Sequence, residues 1–600
     1  MNRLTAAALN LKPLARRLIL SALLAGMVLA VFQPLFNAGF LNLDDPAYVL
    51  QNTRIRKLSL ENFKTIFSNR DLSLYTPLAT LSYTFDYSLG GLNPAIYHIT
   101  NITLHAANTI LVFLLCLALG LPEPAAVLAA AAFGAHPLHV ESVAWIAERK
   151  DVLYAFFYLS SLLYFLRFRQ RGGKTSYALA LALFALSALA KPMAVTLPAV
   201  LLLCDWFKNG TAQARRNWQA TLPFFGLAAG FIALTALPIL THQTDATVQT
   251  GLNGITRLLA PPYAWLWYLH KTLWPGSLSG MYVTENAIPA MPAYAIAFLA
   301  VWSCLICFLR KNRTIMFGAI FFTVTLLPVI QLVPFGPVLT ADRYSYLPAL
   351  GIFIPLSALA AALIAQAKNR AAALAAVFLV IGWLGYQARQ RCFVWRDSLA
   401  FWSDTLRRIP PNPIAYANTG IAFMENRRYA EAAAMFGAAR KLEPDNPLHA
   451  VNLAGALYEQ KKYEAAMAVL AQAERTDPAC PSVLFNLGRL AGLRGDYPAA
   501  RSRFTALLAN PQYRAMAYAG LGTISLHSGD FPDAVRQYTL SLELDRQNSR
   551  TMALLSSACY NAGDTKTARL WLNKAIKSGY SPAETPARIL TPSGSGARLQ

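Results

Sequence analysis

The spacing of apolar positions changes character near residue 390. Before that point, apolar runs of 16 to 22 residues recur between short polar loops. Beyond it, apolar residues return at helical spacing in a polar background. A straight helix needs about 20 apolar residues to cross a bilayer. The pattern predicts about eleven spans, at 18–37, 96–119, 123–138, 152–168, 176–191, 194–208, 219–240, 291–309, 314–333, 346–366 and 371–388. The first run follows Lys12, Arg16 and Arg17 and reads as a signal anchor that stays in the membrane. Basic loops order the spans: the N-terminus, Arg167/Arg169/Arg171/Lys174, Lys208/Arg215/Arg216, Arg310/Lys311/Arg313 and Lys368/Arg370. With the N-terminus inside, an eleven-span count places all five clusters on the cytoplasmic side. The segment 255–275, with its Pro pair and Trp and Tyr residues, suits an interfacial or re-entrant helix, because a twelfth span breaks this charge pattern. Loops 38–95, 136–151 and 334–345, and the domain after residue 390, then face the external side.

The soluble part repeats itself every 34 residues. Gly420, Ala432, Phe436, Ala439 and Pro444 stand at one register, and Ala454, Ala466, Leu470, Ala473 and Pro478 at the next. Gly488/Ala500/Phe504, Gly522/Ala534/Tyr538 and Ala568/Leu572/Ala575 continue it. Small residues that let paired helices approach, a large residue that fills the gap, and a breaking Pro are the offsets of a tetratricopeptide (TPR) unit. Five units are predicted over 413–582, with 395–411 as a preceding half-unit and a disordered tail over 583–600. Such solenoids present a groove to extended peptides or helices; a spacer or self-association surface is the plainer alternative. The fold class expected is all-α: a polytopic membrane domain over 1–390 followed by a TPR solenoid over 395–582.

Composition agrees with this division. Only 14% of residues are charged and 55% are hydrophobic. The formal charge of +23 resides in good part in short loops between apolar runs, so no nucleic-acid partner is expected. The seven cysteines are scattered and imply no disulfide framework; Cys304 and Cys307 form a CxxC inside an apolar run and read as two buried small residues.

Four polar constellations lie at the predicted outer membrane edge, where ionisable groups are costly and mark candidate sites. Asp44-Asp45, followed by Pro46, offers either a general base or cation ligand, or a turn and helix cap. His98, Asn101, His105 and Asn108 share one helical stripe, and only His98 and Asn101 can reach the site end. His136, His139 and Glu141 are plausible metal-ligand types at a weak spacing, with Arg149 and Lys150 close by as phosphate-binding cations. Asp342, Arg343 and Tyr344 place a guanidinium beside tyrosines, suited to a phosphate or to a structural Asp–Arg pair. Lys191 and Lys271 add to the positive field. Acids and phosphate-binding groups on a lipid-embedded scaffold fit chemistry on a lipid-linked phosphate.

The Asp-Asp pair after the first span, HPLHVESVAWIAERKDVL from His136, ADRYSYLP from Ala341 and the appended repeats together resemble one family. It is the transmembrane and TPR repeat-containing O-mannosyltransferase-like proteins of the GT-C glycosyltransferase superfold. The resemblance implies transfer of a sugar from a polyprenyl-phosphate donor to a protein Ser or Thr hydroxyl on the non-cytoplasmic face. It implies Asp44 as the catalytic acid, with Tyr48 as the aromatic that follows the pair. Asp45 and Glu141 then position the acceptor or sugar; Arg343, with Arg149 or Lys150, binds the donor phosphate; His98, Asn101, His136, His139, Asp342 and Tyr344 line the cavity. No cofactor is required and a divalent metal is optional. The expected partners are the lipid-linked sugar, membrane lipid and a protein or peptide acceptor in the TPR groove. Ala- and Leu-rich spans with compact loops point to a bacterial inner membrane, with the repeats on the periplasmic or lumenal side. The competing class is a non-enzymatic membrane scaffold whose repeats recruit envelope or lumenal partners.

Overall fold

A computed structural model describes residues 13–68, 75–241, 252, 254–332 and 338–581, with the side chains of 212–217, 236–241 and 285 left aside. Lys12, the side chains of Arg215 and Arg216, part of loop 334–345 and the predicted tail 583–600 lie outside the described residues. All regular structure among the described residues is helical. The chain divides into two compact units, Met1–Pro410 and Pro411–Gln600.

Each predicted span is occupied by a helix. Six are long and apolar enough to cross a membrane: Pro13–Asn37, Pro94–Leu119, Ile146–Arg171, Trp218–Thr235, Ile288–Leu309 and Arg370–Val394. Glu123–Ala135, Lys174–Ala190, Arg313–Leu326 and Leu350–Gln366 are shorter apolar helices, and Leu197–Asn217 is broken at Gly210. The protein is a multi-pass membrane protein. Lipid-facing surface explains an arrangement that water would not tolerate: Ile296, Leu299, Ile306 and Phe308 are all exposed on one helix. Cys304 and Cys307 lie on that same helix and are exposed, so the reading of them as buried residues is corrected. Helix contacts within the unit use small residues. A Cβ on Gly318 would stand 2.2 Å from the Gly351 carbonyl oxygen, so Arg313–Leu326 and Leu350–Gln366 meet backbone to backbone.

The two sets of loops collect at opposite ends. At one, Arg169 pairs with Asp205 at 2.9 Å and the Lys208 ammonium donates to the Ala118 carbonyl at 2.7 Å. The segments after the first span, around 136–148 and around 338–345 meet at the other. The long loop after the first span contains two helices that the apolar runs do not announce, Leu60–Ser68 and Pro77–Gly90. Gly254–Leu273 is a helix through Pro261 and Pro262.

The second unit consists of five helix pairs, from Pro413–Glu425 with Tyr429–Leu442 to Ser549–Asn561 with Thr565–Lys577. Ala432, Phe436, Ala466, Leu470, Ala500, Phe504, Ala534, Tyr538, Ala568 and Leu572 are all buried. A Cβ on Gly420 would stand 2.5 Å from the Phe436 ring, which accounts for glycine at that register.

Candidate active site

The loop that follows the first helix is pinned on three sides. The Gly39 amide donates to the Arg396 carbonyl at 2.8 Å, the Asn42 amide to the Ser398 hydroxyl at 3.0 Å, and the Trp402 indole to the Asn42 side-chain oxygen at 2.7 Å. Asp45 completes the clamp. One carboxylate oxygen accepts from the Leu41 amide at 2.8 Å and the other from the Ala147 amide at 2.9 Å. This is not the helix cap foreseen as its alternative role: no amide of the following helical turn, Pro46–Leu50, reaches its side chain. Burial pushes its carboxyl up to about 7, against the pull of the two amides. Both oxygens being engaged, Asp45 is structural.

Asp44 differs. It is half-buried, and among the described residues no hydrogen bond reaches its carboxylate. Burial raises its carboxyl above the usual carboxylate range; Lys150 and Arg343 oppose the rise and Glu148 adds to it. A carboxylate left open, raised in basicity and set beside cations is equipped to take a proton.

Glu141 and Arg343 lock together across two loops. The Arg343 amide donates to one carboxylate oxygen of Glu141 at 3.0 Å and its guanidinium to the other at 2.5 Å. The same guanidinium lies 3.4 Å from Glu148 and rests against the rings of Trp145 and Tyr344, at 5.5 and 4.9 Å. The Lys150 ammonium stands 3.2 Å from Glu148 and 5.0 Å over the Tyr48 ring. Lys191 is 3.6 Å from the other oxygen of Glu148, pairs with Asp151, and lies 5.6 Å over Tyr344. Asp44, Glu141, Lys150, Arg343 and Tyr344 are thus brought together, joined by Glu148 and Lys191.

Other expected residues point elsewhere. Arg149 is fully buried, donates to Asp86 at 2.6 Å, to the Tyr97 carbonyl at 2.8 Å and to Asn101, and leaves nothing for a phosphate. Asn101 donates to the Val143 carbonyl at 3.1 Å, so it ties helices together rather than lining a cavity. His98 meets the Gly39 carbonyl at 3.3 Å. His136 contacts the Thr272 carbonyl at 3.0 Å and His139 the Phe133 carbonyl at 2.7 Å, while Glu141 faces Arg343. These three diverge and form no ligand set; among the described residues no three His, Cys, Asp or Glu are grouped to hold a metal ion. Asp342 does not pair with Arg343 but accepts from the Tyr282 hydroxyl at 2.7 Å, and burial pushes its carboxyl up to about 7. Beside Tyr282 a cavity of about 150 Å³ is lined by Trp267, Ser279 and Thr340 among others. Further along the same helical stripe, His105 and Asn108 both reach the Tyr346 hydroxyl, at 2.7 and 3.0 Å. Sequence reasoning missed the clamp formed by Ser398 and Trp402, whose segment reads as a half-repeat, and Asp86, the buried partner of Arg149.

These features define a class: a multi-pass helical membrane protein with an acid-and-cation cluster at one end and a TPR array after it. The tetratricopeptide repeat family TPR_16 matches residues 418–481 and 485–550. Protein O-mannosyl-transferase TMTC3 of Homo sapiens is 27% identical over 198 residues, covering 31% of this chain and 21% of its own. Protein O-mannosyl-transferase tmtc2 of Xenopus laevis is 42% identical over 93 residues, 16% of this chain and 11% of its own. Protein O-mannosyl-transferase TMTC4 of Homo sapiens is 24% identical over 414 residues, 59% of this chain and 56% of its own. The resemblance expected from the motifs therefore holds: the chain is similar to the TMTC protein O-mannosyl-transferases. It spans about a fifth or less of the first two of these relatives and about half of the third. Among solved structures, "Functional Characterization of Pseudomonas Aeruginosa pilF" covers 30% of this chain and 79% of its own at 20% identity, with a TM-score of 0.28, too low to bear on function.

Proposed function

We propose that the protein is a membrane glycosyltransferase that moves a sugar from a polyprenyl-phosphate donor to a protein Ser or Thr hydroxyl. The observation that carries this reading is Asp44: a carboxylate with no hydrogen bond to it among the described residues, beside Lys150 and Arg343. The names of the relatives support the class of reaction.

The acceptor oxygen attacks the anomeric carbon as Asp44 takes the hydroxyl proton. The bond between the anomeric carbon and the phosphate oxygen breaks, and its electron pair leaves on the phosphate. One displacement at that carbon inverts its configuration. The growing negative charge is met by Arg343 and Lys150, pre-placed by their carboxylate and aromatic partners. A phosphate leaves as a stable anion, so the step needs no general acid. Glu141 acts through Arg343, fixing both its amide and its guanidinium, and Asp45 acts by clamping the loop that presents Asp44. Arg149 has no part in the reaction and serves the fold.

The three loops of the site face the non-cytoplasmic side in this reading, here the periplasm of a bacterial cell. The TPR array, which follows the segment Ser398–Arg408 that clamps the acidic loop, holds the acceptor polypeptide and raises its local concentration.

The test is transfer of radiolabel from polyprenyl-phosphate mannose to detergent-solubilised envelope proteins, by the wild type and by Asp44→Asn. We expect protein labelling by the wild type and a loss of about 10²- to 10⁴-fold in the variant with its fold intact, the usual contribution of a general base. Equal labelling by both would remove Asp44 from the mechanism. A wild type inert with this donor, yet dependent on its TPR surface for partner recruitment, would favour the scaffold.

A further inference from the structure

Glu148 is buried, 2% exposed, and lies within 3.6 Å of three cations: Lys150 at 3.2 Å, Arg343 at 3.4 Å and Lys191 at 3.6 Å. Among the described residues, the oxygen facing Lys191 has no hydrogen-bond partner. The three cations do not depend on Glu148 equally. Arg343 is held by Glu141, and Lys191 by Asp151. For Lys150, Glu148 is the one carboxylate at ion-pair distance among the described residues, with the Tyr48 ring as its other support.

We infer that Glu148 is a positioning residue that holds Lys150 off Asp44 and beside the cations where the donor phosphate docks. The inference rests on the transferase reading above. Asp44 is faced by Asp45 on its own loop, by Glu148 and Lys150 from the segment beginning at Ile146, and by Arg343 from the third loop. Glu148 is faced by Lys150, Lys191, Arg343 and Asp151. If its charge is deleted, Arg343 and Lys191 keep their anchors and Lys150 does not. The ammonium then turns to Asp44, the other carboxylate that acts on it. Two consequences follow. The base is paired and loses a neighbouring negative charge, so it holds a proton less tightly and becomes a weaker base. The phosphate seat loses an anion and, with it, Lys150; the two changes oppose each other, so the donor binds about as before.

The experiment measures kcat, donor KM and the pH dependence of kcat/KM for purified full-length protein with radiolabelled polyprenyl-phosphate mannose. Glu148→Gln is expected to lower kcat by on the order of tenfold, the equivalent of one pKa unit on the base, with donor KM little changed. The acid limb of its pH profile moves to lower pH. Glu148→Asp, which keeps the charge, stays near the wild-type profile. Lys150→Met moves the acid limb the opposite way, to higher pH, and raises donor KM; should Glu148→Gln not fold, this opposite displacement carries the test alone. A raised donor KM with an unmoved pH profile in Glu148→Gln, or an unmoved acid limb in Lys150→Met, overturns the inference. Transfer that Asp44→Asn abolishes but Glu148→Gln leaves unchanged also overturns it and leaves the transferase reading standing. A wild type that transfers nothing overturns both.

Discussion

Asp45 and its neighbour Asp44 diverge because of what surrounds each carboxylate. Asp45 satisfies two amides from different loops in a fully buried position, whereas among the described residues no such amide reaches Asp44. The burial of Asp45 and Asp342 gives stability a pH dependence of definite sign. Both carboxyls are raised to about 7 in the folded protein, so between about 4 and 7 the folded state binds protons that the unfolded state has released. Their contribution is fully present below the unfolded pKa and is lost as pH rises through 7. Differential scanning fluorimetry in detergent is expected to give a higher unfolding midpoint at pH 5 than at pH 8. Asp45→Asn, which cannot titrate, flattens that dependence; it also costs about 1–3 kcal/mol throughout, because one of the two amides loses its acceptor. A midpoint that rises with pH would contradict the assignment. Much of this site was legible in the sequence as residue types near one membrane edge. What a sequence cannot supply is direction. Arg149 and Lys150 are neighbours, but successive helical residues point about 100° apart, and one meets Asp86 while the other meets Glu148. The histidines of HPLHVE misled for the same reason: a 3-10 turn sends His136 and His139 to two different backbone carbonyls.

In the repeats, the turn between paired helices falls every 34 residues on a left-handed position: Arg427, Lys461, Gly495, Gly529 and Gly563. The next residue is the N-cap of the second helix. Asp496, Asp530 and Asp564 cap it with their side chains, while Arg428 and Lys462 make no such bond. The first two units thus carry a strained backbone and an uncapped helix where the last three carry neither. Lys461→Gly with Lys462→Asp is expected to stabilise the repeats by about 2 kcal/mol, about 1 from the left-handed position and about 1 from the cap. The midpoint of urea unfolding should rise for this pair, and Gly529→Ala should lower it by a comparable single increment. No change in either would mean that the turn relaxes around its residue. Repeats were the most legible element because one error-tolerant pattern recurs five times. The helix Pro77–Gly90 was not, since its 14 residues mix Thr, Ser and Tyr with few aliphatics and show neither a long apolar run nor a clear stripe.

At the scale of the molecule, contacts between distant loops constrain how often the chain crosses the membrane. Arg343 bonds Glu141, so the number of crossings between them is even. Six predicted spans lie between these residues, and a seventh at Gly254–Leu273 would put the partners on opposite faces. The Asn42 amide bonds Ser398, which requires an even number there as well, and ten predicted spans satisfy it. The Thr272 carbonyl meets His136, so the C-terminal end of Gly254–Leu273 lies at the site end. If this helix does not cross, its other end leaves the membrane on the same face; if it does, one of the other helices in the interval, such as Leu197–Asn217 with its break at Gly210, does not cross. Alkaline phosphatase, active only outside, and a fluorescent protein, bright only inside, can be fused in turn after Thr241, Gly276, Lys311 and Pro410. Phosphatase activity is expected at Thr241, Gly276 and Pro410, and fluorescence at Lys311. Fluorescence at Thr241 with phosphatase activity at Gly276 would show that Gly254–Leu273 crosses, and the eleven-span count would then need redistribution. Fluorescence at Pro410 would place the start of the repeats in the cytoplasm, where an acceptor held by them could not meet a site on the outer face, and the proposed division of labour would fail.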